Sequence, residues 1–388
     1  MTSSTSAAPR IVVVGGGYAG IQFAQSLAYY APGASITVIE KQTFTFHANG
    51  MPRAFVDKSY VPKLFIPLDK ALPSHVTLLR GLAVSMTDAS VTVQTIDVDG
   101  ILAADTTELA FDYCVLATGS SYAAPIKVPE NVYTREAIEA SVHAAIDAIA
   151  AAESILVIGG GAVGCEVAGE IAVKYPTKTV TLVDGNTQLL ASANVSEQFR
   201  TKVAEGLVAH GVKLVLGERL PSRRTAHSFT RETMTLSGGT VIASDVQLVC
   251  AGMTPNTSLV AAQHPSLVTP HGINVTTSMQ LEGKDHIFVL GDASNHLSPK
   301  MAYVAMEQAK HLGYGLAQHL LYKTPLAPFA MNPIGLMLLP IGPYAGVAQF
   351  PVPFYGALVL GDWVVRFIKG ADYFASRTWG TWNASVPS

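Results

Sequence analysis

Cysteine is scarce. The 388 residues hold three, Cys114, Cys165 and Cys250. None stands in a C-x-x-C pair and no two are close in sequence, which argues against a disulfide framework and a cysteine-based metal site. Cys114 and Cys250 lie in apolar runs and read as buried free thiols, compatible with a reducing compartment. Charge is scarce too. Charged residues make up 14% of the chain, against about 25% in a typical domain. The net charge is −3 and no basic run appears, so there is no electrostatic footprint for nucleic acid. No stretch reaches the roughly 18 uninterrupted apolar residues of a spanning helix. Position 2 is Thr2, so the glycine needed for N-myristoylation is missing. The first apolar run passes straight into a glycine turn and is not a signal-peptide core. The expectation is a cytoplasmic protein, free or peripheral on a membrane. No Ser-His-Asp arrangement and no metal-ligand cluster stands out.

What the chain does have is a glycine pattern, twice. Ile11–Val14 is an apolar run leading into Gly15-Gly16-Gly17-Tyr18-Ala19-Gly20. Ile155–Ile158 leads into Gly159-Gly160-Gly161-Ala162-Val163-Gly164. Each is G-x-G-x-x-G between a strand-like run and an Ala-rich helical stretch. A second apolar run then ends in an acid, Glu40 in the first copy and Asp184 in the second. The acid follows the last glycine by 20 residues in both copies. One such fingerprint is weak; two complete ones point to two dinucleotides. Two adjacent sites imply electron transfer from one cofactor to the other. In each copy the first glycine allows the tight turn and the second lets backbone approach pyrophosphate. The third lets helix and strand pack closely, and the helix N-terminus favours the anion. Asp184 would accept a hydrogen bond from the free 2′-OH of NADH and repel the 2′-phosphate of NADPH. No arginine is adjacent to it in sequence. The expectation is therefore NADH rather than NADPH.

The order of elements predicts an α/β fold. Two Rossmann-like dinucleotide-binding domains are expected, the second inserted in the first, with a small α+β C-terminal domain. The expected divisions are 1–125 and 256–323 for the two parts of the first domain, 126–255 for the second and 324–388 for the tail. Residues 76–112 read as short strands (76–79, 83–86, 91–96) in an antiparallel meander. Residues 287–290 form a return strand of the first domain, ending in Gly291-Asp292. That acid suits a flavin ribityl hydroxyl, although a strand-ending Gly-Asp alone is common. Glu166, on the first turn of the second helix, would face the nicotinamide; the alternative is a carboxylate complementing the helix dipole. His47 and Arg53 follow Glu40 in a loop. Arg53 would pair with flavin pyrophosphate, or both are surface residues.

The order G-x-G-x-x-G…E, Ala117-Thr118-Gly119, G-G-G-x-x-G-x-E…D, Ala251-Gly252 with Pro255-Asn256, then Gly291-Asp292 resembles the two-dinucleotide flavoproteins of the glutathione-reductase type, which implies that the first domain takes FAD and the inserted one NADH. Pro299-Lys300-Met301-Ala302-Tyr303, and Asp372-Tyr373-Phe374-Ala375-Ser376-Arg377-Thr378-Trp379, are similar to the apoptosis-inducing factor 2 / ferroptosis suppressor group of flavin-dependent NAD(P)H:quinone oxidoreductases. Type II NADH dehydrogenases are cousins whose quinone-site A-Q pair stands here as Ala302-Tyr303. The resemblance implies FAD held by Gly15, Gly17, Gly20, Glu40, Arg53 and Asp292. It implies NADH held by Gly159, Gly161, Gly164 and Asp184. Lys41, Thr118, Gly119 and Gly252 complete the implied cofactor-binding set. Glu166 and Lys369 would be the polar pair near the isoalloxazine. Lys300, Met301 and Ala302 would place helix-start N–H groups at the flavin pyrimidine edge. Tyr303, Phe374 and Trp379 would line the acceptor side. The implied acceptor is a quinone or another small lipophilic molecule. Rival readings are a reductase of an electron-carrier protein or small radical, and an NADH-sensing flavoprotein of low turnover.

The tail is rich in Pro, Gly and large apolar residues. Pro340, Pro343, Pro351 and Pro353 break any long helix. One reading is a cap walling a quinone pocket. Another is a membrane-surface or homodimer patch with Trp363 and Arg366 at the interface. A third is an ordinary small-domain core.

Overall fold

The computed structural model describes residues 7–331, 335–352, 354 and 356–387. The expected frayed lead-in falls partly on residues 1–6, outside these, as does Pro353.

The first sheet has seven strands. Its centre is Arg10–Val14, paired in parallel with Ser35–Glu40 on one side and Tyr113–Leu116 on the other. These are the continuous apolar runs expected of strands covered on both faces. Ile287–Val289 pairs in parallel with Tyr113–Leu116. A whole second unit has been made in between. Its sheet runs Lys213–Leu216, Thr179–Asp184, Ser154–Ile158, Val246–Val249, all parallel. The unit expected to take NADH (the NADH unit) is thus an insertion in the unit expected to take FAD (the FAD unit). Chain enters and leaves it through a short antiparallel pair, Ser120–Ser121 against Thr254–Pro255.

One expectation on strands needs correction. The runs at 76–79 and 83–86 are a single strand, Thr77–Met86. Its first half pairs in parallel with Ser35–Glu40 and its second half pairs antiparallel with Ser90–Ile96. Gly81, in the gap between those two expected runs, sits inside it. A Cβ there would stand 2.6 Å from Val93 Cγ1. Glycine is needed for the close approach of two strands and not for a turn.

The tail folds as three antiparallel strands, Met337–Ile341, Ala345–Val352 and Gly356–Leu360, and short helical turns. Its sheet rests on the NADH unit: a Cβ at Gly169 would come 3.0 Å from Ile341. Its last helix, Ala375–Thr381, docks on the FAD unit instead. Trp382 Nε1 donates to Thr45 Oγ1 at 2.9 Å, and Gln25 Nε2 donates to the Thr381 carbonyl at 3.0 Å. Trp382 and Tyr373 are fully buried. The tail therefore bridges both units and covers the seam between them. Among the described residues, no helix is long and apolar enough to cross a membrane.

Candidate active site

The two glycine loops open on one cavity of about 2410 Å³. Gly15 has φ +110° and Gly159 φ +113°, a conformation that costs glycine nothing and other residues a strained backbone. A Cβ at Gly20 would lie 1.8 Å from the Gly15 carbonyl oxygen, and one at Gly164 1.8 Å from that of Gly159. Both residues serve packing and neither lines the cavity. Gly17 and Gly161 do line it, with nothing within 4 Å of a Cβ position. Helices Tyr18–Tyr30 and Ala162–Lys174 begin here without a side-chain cap. A third uncapped start, that of Ala302–Tyr322, meets the same cavity through Lys300, Met301, Ala302 and Tyr303. Three helix starts with unpaired N–H groups on one cavity fit the anionic groups of two dinucleotides.

The strand-end acids behave alike. Glu40 Oε2 accepts from Gly16 N–H at 2.5 Å, and Oε1 from Gln42 N–H at 2.9 Å. Burial pushes its carboxyl above the usual range. Asp184 Oδ2 accepts from Gly160 N–H at 2.5 Å, and Oδ1 from Asn186 N–H and Nδ2 at 2.7 and 2.8 Å. Lys41 lines the cavity beside Glu40 and donates to the Glu130 carbonyl at 2.8 Å. Gly185, just past Asp184, lies under Arg219: a Cβ there would stand 2.9 Å from the Arg219 guanidinium carbon. Sequence adjacency missed this arginine, which lies after the next strand.

Thr118 and Asn256 clasp the entry and exit of the inserted unit. Thr118 Oγ1 donates to the Asn256 carbonyl at 2.7 Å, and Asn256 Nδ2 donates to the Thr118 carbonyl at 2.8 Å. Gly119 and Gly252 line the cavity beside them. Asp292 also lines it, accepting from Ser120 Oγ at 2.6 Å and pairing with Lys127 at 3.1 Å. Burial would raise its carboxyl, but Lys127, Ser120 and Lys300 together hold it below the usual range. Lys127 was not singled out from sequence; nothing local marks it. The Lys300 ammonium is turned back onto the Gly291, Ser294 and His296 carbonyls.

Glu166 and Lys369 meet, 203 residues apart. Lys369 Nζ donates to Glu166 Oε1 at 2.6 Å and to the Leu338 carbonyl at 3.1 Å. Both line the cavity. Burial pushes the Glu166 carboxyl up, Lys369 opposes this, and Glu170 adds to it. Phe374 and Tyr303 line the same cavity.

Two expected site residues lie elsewhere. Arg53 is neither at the cavity nor on the surface. It is buried, and its guanidinium is committed to Glu170 through Nε at 2.8 Å and Nη2 at 2.9 Å. It does not line the cavity in which a pyrophosphate would sit. Trp379 is buried outside the cavity, its Nε1 donating to the Lys63 carbonyl at 3.0 Å; it anchors the last helix. His47 is not on the surface either. It is fully buried, its ring between Tyr18 Oη at 2.9 Å and the Tyr373 carbonyl at 3.0 Å. The carbonyl can only accept, so Nε2 carries the proton and Nδ1 accepts from Tyr18. Burial lowers its pKa to about 4 and keeps the ring neutral. All three cysteines are free and buried. Burial pushes the Cys250 thiol up to about 12, far from a reactive thiolate.

This architecture agrees with what the chain resembles. The family model for pyridine nucleotide-disulphide oxidoreductases matches residues 9–309. Ferroptosis suppressor protein 1 of Homo sapiens is 28% identical over 396 residues, covering 99% of each chain. Apoptosis-inducing factor homolog B of Dictyostelium discoideum is 27% identical over 398 residues, covering 96% of each. Among solved structures, the sulfide:quinone oxidoreductase of Aquifex aeolicus superposes with a TM-score of 0.75 at 14% identity, covering 98% of this chain and 93% of that one. At that identity the likeness concerns the fold alone. The chain belongs to the pyridine nucleotide-disulphide oxidoreductase family, as an enzyme that works with FAD and a pyridine nucleotide.

Proposed function

We propose that this protein passes hydride from NADH to bound FAD and then two electrons to a quinone-like lipophilic acceptor. The observation that carries the proposal is the Lys369–Glu166 pair at 2.6 Å on the wall of a cavity shared by both glycine cradles. FAD, when bound, supplies the two-electron chemistry between nicotinamide and acceptor. The chain supplies position and field. Gly15 and Gly17, Glu40 and Asp292 would hold FAD, and the helix start at Lys300-Met301-Ala302 would favour negative charge on its pyrimidine edge. Gly159 and Gly161 would hold the nicotinamide nucleotide. Lys369 and Glu166 would fix the carboxamide end of that nucleotide and tune the adjoining ring. Phe374 and Tyr303 would give the acceptor an apolar wall. Quinone-dependent NADH oxidation tests this reading, as set out at the end of the Discussion.

The preference for NADH rests on Asp184. Its carboxylate would accept from the 2′-OH and repel a 2′-phosphate. Arg219, lying over Gly185, is a cation held close by. Asp184→Ala is therefore expected to do more than erode the preference: it removes the repelling carboxylate while Arg219 stays beside Gly185, and turns the ratio of Kd values toward NADPH by about tenfold or more. Titrating both nucleotides against the flavin-loaded protein measures this. An unchanged ratio would remove Asp184 as the selector.

A long-tailed quinone needs a route to lipid. Trp363 is 76% and Phe367 87% exposed on the turn that leads to Lys369, and the Arg366 guanidinium lies 4.9 Å from the centre of the Tyr344 ring. Aromatics beside a cation suit a membrane surface. We propose peripheral attachment through this face. Trp363→Ser with Phe367→Ser is expected to reduce co-sedimentation with anionic vesicles severalfold while soluble-quinone turnover holds. Equal sedimentation of both proteins would refute the attachment.

A further inference from the structure

Glu166 has a second carboxylate beside it. Glu170 lies one turn along the same helix, on the same face, with a side chain 1% exposed. Two anions in one buried patch repel each other. Arg53 answers Glu170 with two hydrogen bonds and spends Nη2 a second time on the Gly370 carbonyl at 2.8 Å. The Tyr373 hydroxyl donates to Glu170 Oε1 at 2.9 Å. The Tyr373 ring also meets both cations: its centre is 5.4 Å from the Arg53 guanidinium carbon and 5.5 Å from Lys369 Nζ. The patch therefore holds two carboxylates and two cations, drawn from three distant segments of the chain.

The surroundings hold the turn that carries Lys369. Tyr373 and Phe374 have φ +52° and +64°, a conformation that is costly for a non-glycine residue and must be imposed. Gly370 and Tyr373, one and four residues beyond Lys369, are both tied to the Arg53–Glu170 pair. Other titratable groups close the turn. His47, neutral, donates to the Tyr373 carbonyl, and the Tyr60 hydroxyl donates to that of Asp372 at 2.7 Å. The Asp372 carboxylate accepts from Phe374 and Ser376 N–H.

We propose that Arg53, Glu170 and Tyr373 form a positioning network that reserves Lys369 for Glu166 at the nicotinamide wall; this rests on the reading of that pair given above. Because Arg53 is engaged by Glu170 and the Gly370 carbonyl, Lys369 is left as the partner of Glu166. Without the Glu170 charge, Arg53 is a spare cation one turn from Glu166 and favours its ionised form. Without Arg53, Glu170 is an unanswered anion that draws Lys369 away and repels Glu166. The two removals push the Glu166 carboxyl in opposite directions.

Infrared titration of the FAD-loaded protein reads this without turnover. The Glu166 carboxyl band is the one lost in Glu166→Gln. Glu170→Gln is expected to move its midpoint down by about one pH unit, and Arg53→Met up by about one. The double variant Arg53→Met with Glu170→Met removes a paired cation and anion, so its midpoint is expected to return near the starting value. Tyr373→Phe keeps the ring and the fold and shifts the midpoint upward by roughly a few tenths of a unit. The acid limb of NADH-driven flavin bleaching, measured without quinone, moves with the band. Lower thermal midpoints with the band unmoved in every variant would make the network a structural staple and overturn the inference. Wild-type bleaching by Glu166→Gln would instead overturn the reading of the pair on which the inference stands.

Discussion

Replacing Glu166 by alanine is expected to leave the protein yellow and to slow NADH-driven flavin reduction on the order of 100-fold, the scale set by losing near-attack alignment. Glu166 stands on the helix that follows the second glycine loop, so flavin binding is not expected to depend on it. What is lost is the partner of Lys369. Its ammonium would keep the Leu338 carbonyl alone and would no longer be held at 2.6 Å from a fixed point on the helix. An unpaired cation beside the nicotinamide neither orients it nor leaves the local field unchanged. Stopped-flow bleaching at saturating NADH measures the effect. Rates equal to the wild type would mean that the carboxylate only complements its helix.

The second large effect is a matched pair. Gly20→Ala and Gly164→Ala each put a methyl 1.8 Å from a backbone carbonyl oxygen, less than any real Cβ contact. Both neighbours are backbone, so no side chain can swing aside. The turn must open and its N–H groups lose their aim. Gly20→Ala is expected to yield colourless protein. Gly164→Ala is expected to yield yellow protein whose affinity for NADH falls on the order of 100-fold or more, roughly 3 kcal/mol. Absorbance of the purified proteins and a nucleotide titration decide. Colour loss in Gly164→Ala, or colour retained in Gly20→Ala, would reverse the assignment of cofactors to loops.

What could be read from sequence was what is written contiguously. A strand, a glycine turn, a helix and an acid lie within one short stretch, and each glycine has a local reason to be there. The insertion of one unit in the other was legible because the apolar strand before Gly291-Asp292 follows both fingerprints. The misreadings share a different cause. Arg53 looked like a cofactor ligand because its partner, Glu170, lies 117 residues away on another unit. Trp379 sits in an acceptor-side motif, but its indole N–H is held by a carbonyl of the FAD unit. Gly81 reads as a break unless Val93 is known to press against it. Arg219 comes to lie over Gly185 only once two parallel strands bring their ends together.

The most direct test of the central claim is steady-state NADH oxidation by the flavin-loaded protein, with and without a soluble ubiquinone analogue. The account predicts turnover well above the oxygen background that saturates with the quinone and collapses in Glu166→Ala. A flavin that bleaches with NADH and then stays reduced in the presence of quinone would contradict it. That outcome would make the protein an NADH-responsive flavoprotein whose readout is something other than quinone reduction.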